Sequence, residues 1–132
     1  MPATRFVILN HRVENGEHWD LMIERPEATG RDPDFHGLAT WQLTTNPVEQ
    51  PNEAIAGRQL ADHRMVYLDY EGPISGDRGT VTRVEKGTCE LIEAGERIWR
   101  VNLQGKRLKG MYSVTLSSAG FWTFLRATGS DD

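Results

Sequence analysis

From Arg5 to Glu24 the chain reads RFVILNHRVENGEHWDLMIE, with apolar residues from Phe6 to Leu9 and Trp19, Leu21 and Ile23 alternating with polar ones after Asn15-Gly16. This pattern predicts a β-hairpin with Asn15-Gly16 at its tip. In that register Glu14 faces Glu17, Val13 faces His18, Arg12 faces Trp19 and His11 faces Asp20. Strand alternation then puts His11, His18 and Asp20 on one face, together with Val7, Leu9, Val13 and Met22, and puts Phe6 and Ile8 on the other. A first strand that is apolar on both faces is expected to be covered on both, so the histidine side is at least partly buried.

Beyond the hairpin, Arg25–Gly37 carries two prolines, two glycines and many charges and reads as an exposed loop, with His36 a solvated histidine outside any site. Leu38–Thr45 reads as a strand closed by Asn46-Pro47, and Asn52–Leu60 as a short helix capped by Asn52 and weakened by Gly57. In Ala61–Gly72 a strand would put His63, Met65, Tyr67 and Asp69 on one face, and a helix would bring His63 and Tyr67 together at four-residue spacing. GPISGDRG is a wide turn. It is no phosphate-binding P-loop, since no Gly-Lys-Ser/Thr follows. Strands are expected at Thr80–Glu85, Thr88–Glu93, Arg97–Leu103, Met111–Leu116 and Phe121–Arg126. Turns fall at Lys86-Gly87, Ala94-Gly95, Gln104-Gly105 and Ala119-Gly120, and residues 127–132 form a frayed tail. Short strands at this spacing with at most one short helix mean an all-β, mainly antiparallel sandwich or barrel.

A chain of 132 residues with this aromatic content is expected to be one domain, 1–132, with its own core. It has no apolar run of membrane-span length and no leader-like start, so a cytoplasmic monomer away from membranes is expected. The single cysteine, Cys89, has no internal partner and reads as a small core residue. A net charge of −4 argues against tight non-specific nucleic-acid binding by the chain as a whole, while leaving room for a local basic patch.

Two imidazoles and a carboxylate on one hairpin face can converge on a single metal ion and leave coordination positions open, as catalysis needs. The alternative is a surface hairpin with scattered polar residues. His63 and Tyr67 read on their own as ordinary packing residues. KRLK at Lys106–Lys109 reads as a charged hairpin tip; if it and Arg58, Arg64 and Arg126 surround the hairpin site, they would instead hold a phosphate chain.

The ordered set of motifs resembles the 3′-phosphoesterase domain found in bacterial DNA ligase D and as a stand-alone protein in some bacteria and archaea. His11, then His18-Trp19-Asp20-Leu21 and Glu24, look like that family's His followed by His-aromatic-Asp-apolar-Arg-Leu-Glu. Trp41 matches a tryptophan after the next loop, and Asp62-His63 with Tyr67, Asp69, Tyr70, Glu71 and Gly72 resembles Asp-His-Pro-Leu-Asp-Tyr-x-Asp-Phe-Glu-Gly. Gly79-Thr80-Val81, the Leu108-Lys109-Gly110 turn and the strand around Trp122 follow in order.

The resemblance implies a compact, closed or nearly closed β-barrel with long loops and a manganese-dependent phosphoesterase activity, with zinc or cobalt as other candidate metals. That activity trims ribonucleotide or phosphate groups from the 3′ ends of DNA or RNA–DNA primer strands in DNA repair. It implies His11, His18 and Asp20 as metal ligands, His63 and Tyr67 as residues contacting the scissile phosphate, and a separately encoded ligase or polymerase as a partner. Two departures stand out. One extra residue separates His11 from His18, which the Asn15-Gly16 register would absorb without moving the ligands off one face. Met22 stands where the family has an arginine, and methionine lacks that residue's bidentate, charged grip on phosphate, which bears most on release of 3′-phosphate. Arg12, Arg64 or KRLK would have to substitute. Without such a substitute, the alternative is a metal-binding barrel of weak or no activity that binds nucleic-acid ends or a protein partner. A purely structural barrel is the third reading.

Overall fold

The computed structural model describes residues 3–127, and within them every regular element longer than a single turn of 3₁₀ helix is a strand. The strands are β1 (Ala3–Val13), β2 (Gly16–Glu24), β3 (His36–Leu43), β4 (Ile55–Arg64), β5 (Gly72–Pro73), β6 (Thr80–Ala94), β7 (Ile98–Gly105), β8 (Lys109–Leu116) and β9 (Trp122–Arg126). All pairings are antiparallel, in the order β1-β2-β3-β4-β9-β8-β7-β6, and β1 also pairs with β6, so eight strands close into a ring. β5 is a two-residue addition to the outer edge of β6. Closure pairs the terminal strands β1 and β6 and, among the described residues, leaves only short unpaired edges, such as Thr82–Lys86 of β6.

Two apolar clusters lie on opposite faces of β1 and β2. Phe6, Ile8, Leu21 and Ile23 join Trp41, Trp99, Tyr112, Trp122 and Phe124 in a cluster supplied by all eight ring strands, which places it inside the ring. Cys89 sits in this cluster, as its neighbours suggested, and burial pushes its thiol pKa up. Val7, Leu9 and Met22 point outward and are covered by Ala28, Leu38, Met65, Leu68 and Val81. The cover is made by two segments, Pro26–Phe35 before β3 and Met65–Ile74 after β4, which fold back over the outer face. The candidate chemistry therefore lies on the outside of the ring, beneath that cover.

The hairpin is present with a different register. Val13 pairs with Gly16, which places Glu14-Asn15 at the tip in place of Asn15-Gly16, and His11 pairs with His18 rather than with Asp20. A type I′ Asn-Gly turn needs φ > 0 at both central residues, and among the described residues Asp77 is the one non-glycine with positive φ. The observed register sets Phe6 against Ile23 and Ile8 against Leu21, whereas the expected one would set Phe6 against Arg25. A slip of two residues preserves faces, so the shared face of His11, His18 and Asp20 survives. The extra residue before His18 is thus not taken up at an Asn15-Gly16 tip.

Three other expectations are corrected. The short helix expected over Asn52–Leu60 is absent: Ile55–Arg64 is a strand that pairs with β3 and β9 and joins the two halves of the ring. Gly57 serves this pairing, since a Cβ there would lie 2.6 Å from the Gln42 carbonyl oxygen. Lys86-Gly87 is not a turn. β6 runs unbroken through it, exchanging β5 for β7 along one edge while keeping β1 on the other. The 25–37 segment is also less exposed than expected, because Ala28 is buried and Phe35 O accepts the Met65 N–H at 2.9 Å. The frayed tail expected over 127–132 falls, beyond Ala127, outside the described residues.

Candidate metal centre and cleft

His11 and His18 face each other across the hairpin, and Asp20 sits diagonally below them. Their ligand atoms lie within 4.8 Å of one another. His11 Nδ1 is 3.0 Å from His18 Nε2, and the two rings meet at 76°. Asp20 is 3% exposed, with Oδ2 3.7 Å from His11 Nδ1 and Oδ1 3.3 Å from His18 Nε2. Asp20 Oδ1 is buried without a hydrogen-bond partner among the described residues.

The outer end of His11 is fixed by the wide turn. Its Nε2 is 2.7 Å from the Arg78 carbonyl oxygen, so the Nε2–H donates outward and Nδ1 presents a lone pair to the triad. Two imidazole nitrogens about a hydrogen-bond length apart, beside an unpartnered carboxylate oxygen, need a proton or a cation between them. Neighbouring ligands bound at ~2.1 Å are ~3.0–3.4 Å apart, so this donor set fits a first-row divalent metal.

The triad opens into a cleft of about 400 Å³. His11 and Asp20 form one wall, Met22, Ile74 and Val81 are apolar residues lining it, and His63, Arg64 and Tyr67 line it from the segment following β4. His18 reaches the triad from behind, where it lines a separate shallow groove with Gln42 and Arg58. His63 is the penultimate residue of β4 and Tyr67 lies in the 3₁₀ turn Met65–Leu68. The pair therefore shares neither a strand face nor an α-helix, yet the ring centroids are 6.0 Å apart. His63 Nδ1 is 2.8 Å from the Ala61 carbonyl oxygen, which leaves Nε2 as its exchangeable atom.

The structure sorts the candidate cations. Arg64 and Arg78 line the cleft. Arg64 donates to Asp34 at 3.0 Å, and the Tyr67 hydroxyl followed by Asp34 pushes its guanidinium further toward the charged form. Arg12 lies outside the cleft lining, hydrogen-bonded to Asn10 and paired with Glu17 at the hairpin. Arg58 donates to Gln42, and Arg126 to the Tyr112 hydroxyl. KRLK does not surround the hairpin site. It folds over Glu85, and Lys106 and Arg107 line a different recess.

Sequence reasoning passed over two cleft residues. His36 opens β3 on the cleft rim with Nδ1 3.1 Å from the Asp62 carbonyl oxygen, and Arg78 holds His11 through its main chain. No spacing rule links His36 or Arg78 to the hairpin, because the β3–β4 pairing brings the first there and the wide turn the second. Asp62, adjacent to His63, is anchored by Arg25 through contacts of 2.8 and 3.2 Å.

The family model described as the DNA Ligase D 3′-phosphoesterase domain matches residues 9–116. No curated protein matches the chain. The matched span runs from β1 through β8 and takes in the triad, His63, Tyr67 and Arg78.

Proposed function

The chain belongs to the DNA ligase D 3′-phosphoesterase domain family, a family of phosphoesterases acting in DNA repair, and on that premise we propose that it removes 3′-terminal ribonucleotides or phosphates from nucleic-acid ends with a divalent metal, manganese first. The observation that carries the reading is the buried, unpartnered Asp20 oxygen beside two imidazole nitrogens 3.0 Å apart, at one end of an open cleft.

His11, His18 and Asp20 would hold the metal, which when bound supplies Lewis acidity toward a phosphoryl oxygen and toward water. The chain's own residues do the rest. The Arg78 carbonyl keeps the proton of His11 on Nε2. Tyr67 orients the phosphate through its hydroxyl, and His63, with its Nδ1–H held by the Ala61 carbonyl, acts as the imidazolium, giving the Nε2 proton to the leaving oxygen or stabilising the charge that develops there. Met22, Ile74 and Val81 give the cleft apolar lining that strengthens the polar contacts above it. Arg64 supplies the positive charge that Met22 does not, while the Arg78 guanidinium is held on Ser75 within its own turn.

The direct test incubates the protein with Mn²⁺, Co²⁺ or Zn²⁺ and primer-templates ending in a 3′-ribonucleotide or a 3′-phosphate. Shortened or dephosphorylated primer is expected. Absence of product with all three metals, where a family control cleaves, overturns the enzyme reading.

Met22 favours a second reading. It is 1% exposed within the outer apolar cluster, so the position offers no cation to the transition state. A cleft of this kind would bind a 3′ end in the presence of metal without turning it over.

A further inference from the structure

β6 loses its outer partner between β5 and β7. β5 pairs with Thr80 and Val81, and β7 takes over only at Gly87, so the edge from Thr82 to Lys86 borders a recess of about 470 Å³. Glu71, Arg83, Glu85, Lys86, Lys106 and Arg107 line it. Cations outnumber carboxylates four to two in a chain whose net charge is −4.

The recess is built rather than incidental. The buried Glu85 carboxylate accepts N–H donors from Lys86, Lys106, Arg107 and Leu108 at 2.7–3.0 Å. It thereby pins the loop between β7 and β8 from inside, and Leu108 is buried while Lys106 and Arg107 stay exposed. Arg83 reaches Glu71 at 3.5 Å through Nη1, but its Nε is buried with no partner among the described residues. Lys106 and Arg107 make no ion pair among the described residues.

Position ties the recess to the cleft. Val81 lines the cleft and Arg83, two residues on and on the same strand face, lines the recess, while the segment from Tyr67 to Ile74 walls both. Across the bulge at Val84, Val81 to Lys86 spans the same length as His11 to Val7 on β1, about 13 Å, against about 3.4 Å of axis per nucleotide in one strand of a duplex.

We infer that this recess is a second phosphate site, which takes the backbone of the nucleic-acid strand about four nucleotides from the end held in the cleft. The inference rests on the proposed function for the identity of the strand, though not for the existence of the site. Arg83 is shared with Glu71 and Lys86 with Asp69. Lys106 and Arg107, exposed and without ion pairs among the described residues, instead attract a polyanion at little desolvation cost, and the Arg107 guanidinium suits phosphate oxygens. The acidic remainder of the surface confines such binding to this track.

The test measures binding of a labelled duplex with a recessed 3′ end by anisotropy, across a salt series, for the wild type, Lys106→Ala/Arg107→Ala and the control Arg97→Ala/Arg100→Ala, just before and within β7. The recess variant is expected to bind at least tenfold more weakly, and its plot of log K against log salt to flatten by about 1.5–2, the loss of two phosphate contacts. The control keeps the wild-type slope. An unchanged slope in the recess variant, an equal change in the control, no duplex binding by the wild type, or bound poly-glutamate that duplex does not displace overturns the site. Hydrolysis of a 3′-terminal dinucleotide, too short to reach the recess, is expected at wild-type rate in the recess variant. If neither protein hydrolyses it, the phosphoesterase reading fails while the binding result stands.

Discussion

His11 and His18 lie directly opposite each other on neighbouring strands, rings nearly perpendicular and centroids 4.7 Å apart, with the buried carboxylate of Asp20 one step further along the same face. Cross-strand neighbours in a ladder keep this spacing whether or not a ligand is bound, because strand pairing rather than side-chain reach sets it. The site is therefore preorganised, and its ligands are separable by mutation from the core inside the ring.

Metal binding is expected to stabilise the fold, with a readout independent of turnover. Free Mn²⁺ at 100 times its dissociation constant adds about 2.7 kcal/mol of stability. The melting temperature of the wild type should rise with Mn²⁺, and that of His11→Ala should stay flat. A parallel rise in both proteins would place the ion elsewhere.

Arg64 is expected to act on phosphate through its planar fork. Arg64→Ala should raise KM for a 3′-phosphate-terminated primer about tenfold or more, in line with loss of a charged hydrogen bond of about 1.5–3 kcal/mol. Arg64→Lys should recover only part of this, since an ammonium keeps the charge and loses the fork. Asp34→Asn, which removes the rim partner of Arg64 and leaves the guanidinium, separates the two contributions: KM should stay near the wild-type value.

Glu85 gives the fold an acid limb. Burial alone would raise its carboxyl pKa, but the four backbone N–H donors outweigh burial and hold it below the ordinary 4.5. A depressed folded value means that the stabilisation is complete above the unfolded value and disappears as pH falls from about 4.5 through the folded one. Urea unfolding should show Glu85→Gln less stable than the wild type by about 1–3 kcal/mol at pH 7, with the gap narrowing in acid. A gap independent of pH would mean that packing, not charge, is lost.

Gly87 tests the continuity of β6. A Cβ there would lie 2.1 Å from the Gln104 carbonyl oxygen, a backbone atom of β7. Gly87→Ala should destabilise the protein by about 1–3 kcal/mol, the range for overpacking. At Gly95 the nearest atom, Ile98 O, is 3.6 Å away, so Gly95→Ala should stay within about 0.5 kcal/mol of the wild type. Thermal melts of the two variants decide it.

Much of the site was legible in the sequence because strand alternation has a period of two. Any even register of the hairpin leaves His11, His18, Asp20 and Met22 on one face, so the ligand set could be read even though the pairing was off by two residues. His63 and Tyr67 were legible through the family resemblance and through a spacing that several backbones satisfy. His36 and Arg78 were not. His36 reaches the cleft from the start of β3 and Arg78 from the wide turn, and both placements depend on long-range contacts such as Met65 N–H to Phe35 O and Ile74 N–H to Gly79 O.

The errors in the fold have a common origin. Asn52–Leu60 looks helical and Lys86-Gly87 looks like a turn when local propensity is weighed alone. In the folded chain, each glycine marks a place where one strand passes too close to another for a side chain, at Gln42 O and Gln104 O.

The sequence by itself determined the all-β class, the two-faced first hairpin and the three residues able to hold a metal, because these follow from side-chain alternation and donor chemistry. Only the tertiary structure decided that the face carrying His11, His18 and Asp20 lies outside the ring, that Arg64 rather than Arg12 or KRLK lines the cleft beside it, and that KRLK folds around Glu85 beside a separate recess. Those outcomes depend on ring closure and on buried polar groups finding partners far along the chain, and no local pattern encodes either.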